Sequence, residues 1–329
     1  MTVSELTERE LVHAVRQRLS SAPPWLIVGI GDDAAVVEPE RNRLEVITVD
    51  AVVDGVHVDR RFTPPDAIGH RALAVNLSDL AAMGASPRLA VLSMALPADL
   101  PVADFTAIVD GIGLLSAEHR LTIVGGNLTR TPGPLTLDMT AVGTVKRRSV
   151  MTRDGARPGD VVFVTGTIGA AAAGLEMLQE GSAAADQHCV DRYLRPTARV
   201  RTGVLLGRNR AASACVDLSD GLADGVSRIA EGSGISITID RAALPIDSGA
   251  RRWWESRGAD VIARALTGGD DYELLVTVRP RSVRRLAAVA RDGRVPLTRI
   301  GVCTPGSALL LRDADGGQAP LPSGFSHFR

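Results

Sequence analysis

Lysine is almost absent from this chain. Of 37 basic residues, Lys146 is the single lysine. A P-loop sets a lysine after G-x-x-x-x-G against nucleotide phosphates, and Lys146, preceded by Thr144-Val145 and followed by Arg147, cannot serve that purpose. Other common signatures are missing too. Gly111-Ile112-Gly113 lacks the third glycine of G-x-G-x-x-G. His119-Arg120 is followed by Leu121, and Asp104-Phe105 by Thr106, which removes the protein-kinase triplets. H-E-x-x-H and G-x-S-x-G do not occur, against a zinc enzyme and an α/β-hydrolase. Aromatics are 3% and the formal charge is -1, so neither stacking platforms nor a basic excess points to nucleic acid. Cys189, Cys215 and Cys303 lie far apart, which fits a reducing compartment rather than a disulfide framework or thiolate metal site. No apolar run reaches membrane-spanning length, and the amphipathic N-terminus does not read as a leader. A soluble, cytoplasmic protein is expected.

What is present is enough for a packed core: 329 residues, 45% of them hydrophobic. Thr7-x-x-Glu10 is a capping box opening a helix with Leu11, Val12, Val15 and Leu19 on one face. LEVITVD (44–50) reads as a strand that delivers Asp50 at its end, and 64–84 as a helix between prolines and a glycine. A strand (88–96), a helix (101–118) and two more strands complete an α/β first half. The charged, Gly- and Pro-containing stretch 146–160 reads as the boundary. Beyond it, strands at 161–166, 213–217, 235–240 and 272–278 alternate with helices, one of them at 219–230. The expected organisation is two α/β (α+β) domains, 1–148 and 149–329.

Aspartate recurs beside glycine where elements meet: Asp32-Asp33 in GIGDD, Asp50 and Asp54 in TVDAVVDG, Asp79 in NLSDLAAMG, Asp217 and Asp220 in DLSDG, and Asp270-Asp271 in GGDD. Short hard carboxylates suit Mg²⁺, and glycines let backbone amides approach phosphate. Any one of these junctions is more often a turn or a helix cap, as Asp220 alone would be. Their number is what points to an Mg²⁺–polyphosphate enzyme. Cys215 and Trp253-Trp254 read as core.

GIGDDAAV, TVDAVVDGVH, ALAVNLSDLAAMGASP, VGGN, TRDGARPGD, VTGTIG, VDLSDGLADG, GGDDYELL and GFSHF occur in this order over nearly the whole chain. In this the sequence resembles the thiamine-monophosphate kinase family of the aminoimidazole-ribonucleotide synthase-like superfamily. The resemblance implies the two-domain fold of that superfamily, with a dimerising N-terminal domain. It implies phosphorylation of thiamine monophosphate to thiamine diphosphate, with ATP as co-substrate, Mg²⁺ as cofactor and a homodimer as the assembly. Carried over position by position, it implies Asp33, Thr48, Asp50, Asp79, Asn127, Asp217 and Asp220 as metal ligands, Asp50 and Asp79 being central to catalysis. It implies ATP contacts from the Gly125-Gly126 turn, Asn127, Arg153 and Ser219, and substrate contacts from His57, Asp270 and Phe325. Three departures stand out: Asn127 replaces an aspartate, Val49 a threonine, and Asp270 a glutamate. The alternatives are a sister ATP-dependent enzyme of the superfamily, or a thiamine-phosphate or nucleotide binder silenced by Asn127.

Overall fold

The computed structural model describes residues 1–19, 22–182 and 186–324. The chain divides into two compact units, Met1–Leu80 with Ser86–Lys146, and Ala81–Ala85 with Arg147–Arg329. Both combine helices with a mixed sheet, the two-domain α/β organisation expected from the sequence. No helix among the described residues is long and apolar enough to cross a membrane.

The first unit runs α1 (Glu8–Leu19), β1 (Leu26–Val28), β2 (Val36–Val37), β3 (Leu44–Val53), α2 (Pro65–Ala82), β4 (Ser86–Pro97), α3 (Val102–His119), β5 (Thr122–Thr131) and β6 (Thr136–Val145). The capping box forms: the Thr7 amide donates to Glu10 at 2.7 Å, and the Glu10 amide to the Thr7 hydroxyl at 3.4 Å. Four strands form a sheet in the order β3-β6-β4-β5, in which only β4 and β5 run parallel. The two long helices touch backbone to backbone. A Cβ on Gly69 of α2 would lie 1.9 Å from the Ile108 carbonyl oxygen, and one on Gly111 of α3 would lie 2.1 Å from that of Asp66. Gly111 is therefore a helix-packing glycine, which accounts for the incomplete dinucleotide-like spacing.

The second unit contains β7 (Val161–Thr165), α4 (Ala170–Glu180), α5 (Gln187–Leu194), α6 (Val200–Asn209), β8 (Ala214–Asp217), α7 (Leu222–Ser233), β9 (Ser236–Asp240), α8 (Ser248–Glu255), α9 (Val261–Thr267), β10 (Leu274–Val278), α10 (Val283–Gly293), β11 (Leu297–Thr304), β12 (Leu309–Arg312) and β13 (Gln318–Pro320). Its seven strands lie in the order β13-β12-β9-β11-β7-β10-β8. Strand β10 (LLVTV) is buried along its whole length, as an unbroken apolar run requires. It pairs antiparallel with β8, with Leu274 opposite Asp217, so the loop leaving β8 meets the loop entering β10.

Three aspartates outside the Gly-flanked junctions serve as ordinary helix caps. Asp186, Asp247 and Asp260 each accept two backbone N–H bonds at the start of α5, α8 and α9. Asp220 is different. Helix α7 begins at Leu222 rather than Ser219, its N-cap is Gly221 at φ +94°, and Asp220 lies in the turn before it. Trp253 and Trp254 are core, and both indole N–H groups donate to Glu176 at 3.0 Å.

Candidate active site

In the first unit, the β3–β6 ladder pairs Thr48 with Ala141 and Asp50 with Met139. Strand alternation then puts Thr48 and Asp50 on the face shared with buried Met139 and Leu92. Ile47 and Val49 fall on the opposite face, 65% and 59% exposed. Helix α2 brings Asp79 to Thr48, whose hydroxyl donates to Asp79 Oδ2 and fixes the direction of that carboxylate. Asp50 is inside β3 and not at its end, because the ladder with β6 continues through Val53.

Gly125-Gly126-Asn127 do not form a turn. They lie in β5, opposite Val91, Leu92 and Ser93 of β4, just after Val124 bulges from the ladder. A Cβ on Gly126 would stand 1.8 Å from the Leu92 carbonyl oxygen, so only glycine lets the strands approach there. A Cβ on Gly125 would meet nothing within 4 Å. These residues, with Asp32, Asp33 and Arg9, border a cavity of about 540 Å³. Asn127 shares its sheet face with Ser93 and Asp138, and Asp50 occupies the other face. The unit thus holds two groups: Asp33 with Gly125, Gly126 and Asn127, and Thr48 and Asp50 with Asp79. His57 sits in the tight Val53–Val58 loop, where its Nδ1 accepts from the Val53 amide at 3.2 Å. The neutral ring therefore carries its proton on Nε2.

In the second unit, two loops are stitched together by their backbones. The Asp270 amide donates to the Ser219 carbonyl at 2.8 Å, the Tyr272 amide to that of Leu218 at 2.9 Å, and the Leu218 amide to that of Glu273 at 2.8 Å. Asp270 and Tyr272 both adopt left-handed φ, +68° and +50°. Aspartate tolerates that region; a bulky aromatic residue does so at a cost of order 1–3 kcal/mol. The residues around them hold the conformation. Arg192 donates to the Asp271 carbonyl at 2.7 Å and to buried Glu273 at 3.1 Å, and Arg199 pairs with the same Glu273 carboxylate. Asp271 Oδ2 accepts from the Gly169 amide at 2.8 Å, while its Oδ1 is buried without a partner. Burial pushes the Asp271 carboxyl up to about 7. Asp217 is buried at the end of β8, and Asp220 Oδ2 is paired with Arg228 at 3.0 Å. Ser219 is half-buried beside it; Arg153 is exposed.

All side chains expected to hold metal offer oxygen, a donor chemistry that fits Mg²⁺ and not a soft metal. Among the described residues no three Asp, Glu, His or Cys side chains gather as a ready-made cage. Burial pushes the Cys189 and Cys303 thiols up to about 12 and raises that of Cys215 as well, so none is an activated nucleophile.

Arg9, Arg228 and Tyr272 were not singled out by the sequence. The i,i+4 spacing of Asp224 and Arg228 carries a pairing signal, and the two side chains do pair. Nothing local announces Tyr272, whose hydroxyl reaches Asp270 with both residues in left-handed backbone. Phe325 lies outside the described residues.

The chain matches the family model for AIR synthase related protein, N-terminal domain, over residues 31–145, and its C-terminal domain over 157–312. It is 33% identical to the thiamine-monophosphate kinase of Bacillus subtilis, covering 98% of this chain and 100% of that one. A crystal structure of the thiamine-monophosphate kinase from Stenotrophomonas maltophilia superposes with a TM-score of 0.83 at 37% identity, over 95% and 98% of the two chains. A structure of AaThiL complexed with AMPPCP and TMP does so with a TM-score of 0.78 at 32% identity, over 100% and 99%.

Proposed function

The chain belongs to the thiamine-monophosphate kinase family, and we propose from this that it transfers the γ-phosphoryl group of ATP directly to the phosphate of thiamine monophosphate. The carrying observation is the oxygen-only donor set of the first unit: Asp79 oriented by Thr48, with Asp50 on the same face, and the separate cavity bordered by Asp33, Gly125 and Asn127. A relative in complex with AMPPCP and TMP supports the choice of substrates.

The proposed chemistry needs little acid–base help. A phosphate oxygen of thiamine monophosphate is largely anionic at neutral pH, its second pKa being about 6. It forms a bond to the γ-phosphorus as the bond to the ADP oxygen breaks, and the electron pair leaves with ADP. Repulsion between two anions is the obstacle, so positioning and charge neutralisation dominate. Mg²⁺ would supply that neutralisation. The first unit offers oxygen donors for it in two groups, Asp33 with Asn127 and Thr48 and Asp50 with Asp79, and the second unit, taken by itself, offers Asp217 and Asp220. The nucleotide contacts proposed for the first unit are the open backbone at Gly125 and its neighbours; those proposed for the second, taken by itself, are Arg153 and Ser219. Gly126 keeps β5 against β4. His57, Asp270 and Phe325 receive the substrate, Asp270 opposing the thiazolium charge.

The outer face of the first unit's sheet supports a homodimer through a second copy. Ile47, Val49 and Val91 are exposed on it (65%, 59% and 38%), an apolar row that water alone would leave unfavourable.

The test incubates the protein with thiamine monophosphate, ATP and Mg²⁺ and separates thiamine phosphates by chromatography. Metal-dependent thiamine diphosphate is expected from the wild type and none from a folded Asp79→Ala variant. Binding without product, reversed by Asn127→Asp, would instead identify a silent binder.

A further inference from the structure

We infer that Tyr272 is a positioning residue for substrate recognition, its hydroxyl setting the direction of the Asp270 carboxylate. The inference rests on the reading that Asp270 meets the cationic thiamine moiety. The Tyr272 hydroxyl donates to Asp270 Oδ1 at 3.1 Å across two residues. In an extended strand, side chains at i and i+2 stand side by side, and in a helix they point apart. Here the contact is made with left-handed φ at both positions, a backbone conformation that Asp270 tolerates and Tyr272 adopts at a cost.

The surroundings show what that conformation serves. The Tyr272 ring is 7% exposed, so its hydroxyl has a fixed origin. Its backbone is held by Leu218, that of Asp270 by Ser219, and the intervening Asp271 carbonyl by Arg192. Asp270 itself is only partly buried and has two side-chain torsions. Its backbone direction is therefore fixed, and its carboxylate direction is set by a donor anchored in the core. A charge aimed before the ligand arrives does not lose its freedom on binding, which raises affinity for a cation.

The experiment is a double-mutant cycle on the full chain, with thiamine monophosphate binding read by titration calorimetry for wild type, Tyr272→Phe, Asp270→Asn and the double variant. Tyr272→Phe keeps the ring and removes the hydroxyl. It should weaken thiamine monophosphate binding about fivefold, the loss expected of one hydrogen bond to a charged group that remains partly hydrated. ATP binding should change less than about twofold, being outside this contact. In the Asp270→Asn background, where Oδ1 still accepts from the hydroxyl but no charge remains to be aimed, the same substitution should cost less than about twofold. Equal losses in both backgrounds, or parallel losses of ATP and thiamine monophosphate binding, would show a general structural role and overturn the inference. Wild type that binds thiamine monophosphate without phosphorylating it would overturn the proposed reaction and leave the cycle interpretable. Wild type that does not bind it overturns both.

Discussion

Replacing Gly126 by alanine should destabilise the strand pairing that replacing Gly125 leaves intact. The two glycines are adjacent in β5, yet a methyl group on Gly126 would stand 1.8 Å from the Leu92 carbonyl oxygen and one on Gly125 would meet nothing within 4 Å. Real Cβ contacts almost never fall below 3.0 Å, so at Gly126 something must move by more than an ångström. The obstacle is backbone, and Leu92 is pinned between Met139 on β6 and Gly126 on β5. Overpacking that the core cannot relieve by rotamer changes costs about 3 kcal/mol or more. For a unit of this size that corresponds to a melting temperature lower by roughly 6–12 °C. Gly125→Ala carries no such penalty, and its melting temperature should stay within about 2 °C of wild type. Gly125 borders the 540 Å³ cavity proposed to take the nucleotide, so ATP affinity should fall about tenfold, equivalent to roughly 1.4 kcal/mol. Differential scanning fluorimetry and nucleotide titration on the two variants measure both effects. Gly126→Ala melting with wild type, or Gly125→Ala melting as low as Gly126→Ala, would refute the strand placement and the reasoning built on it.

Glu273→Gln should cost about 3–5 kcal/mol in urea unfolding, because Arg192 and Arg199 are left around a buried neutral amide; a loss below about 1 kcal/mol would contradict the buried ion-pair account. The Asp271 carboxyl is raised to about 7 by burial, above its ordinary value of 3.8, so the folded chain binds the extra proton between those limits. Its contribution is thus present in full at low pH and lost as pH rises through 7, with a slope of up to about 1.4 kcal/mol per pH unit. Asp271→Asn should flatten this limb of the stability curve, and an unchanged pH dependence would contradict it. Ile47→Asp with Val49→Asp puts two charges on the apolar outer face and should give a monomer by sedimentation while leaving the melting temperature of the unit similar; a persisting dimer would place the interface elsewhere.

Much of the fold was legible where hydrophobic pattern and end signals agreed. LEVITVD, the Pro-to-Gly helix after 64 and the apolar run of β10 each became the expected element. The errors fell where one polar or small residue was read as a stop. LEVITVD reads as a strand with Asp50 at its end, but ten consecutive pairings with β6 carry β3 past it. Gly125-Gly126 suggested a turn, while the neighbouring strand requires a missing Cβ at Gly126 and the sheet continues. At DLSDG the helix begins three residues late because Gly221 first takes a left-handed step. The candidate site residues were named by motif. Their grouping was not visible, because which face Asn127 occupies depends on the bulge at Val124, a pairing between distant strands. The link from Tyr272 to Asp270 was hidden for the same reason: it depends on two backbone conformations enforced by Leu218, Ser219 and Arg192.

The proposed direct phosphoryl transfer between two phosphate anions leaves its mark in the stereochemistry at the transferred phosphorus. With ATP made chiral at the γ-phosphorus by oxygen isotopes, thiamine monophosphate and Mg²⁺, a single in-line displacement gives labelled thiamine diphosphate with inverted configuration. Retention would require two displacements through a phosphorylated enzyme, and ADP formed without labelled thiamine diphosphate would remove thiamine monophosphate as the acceptor.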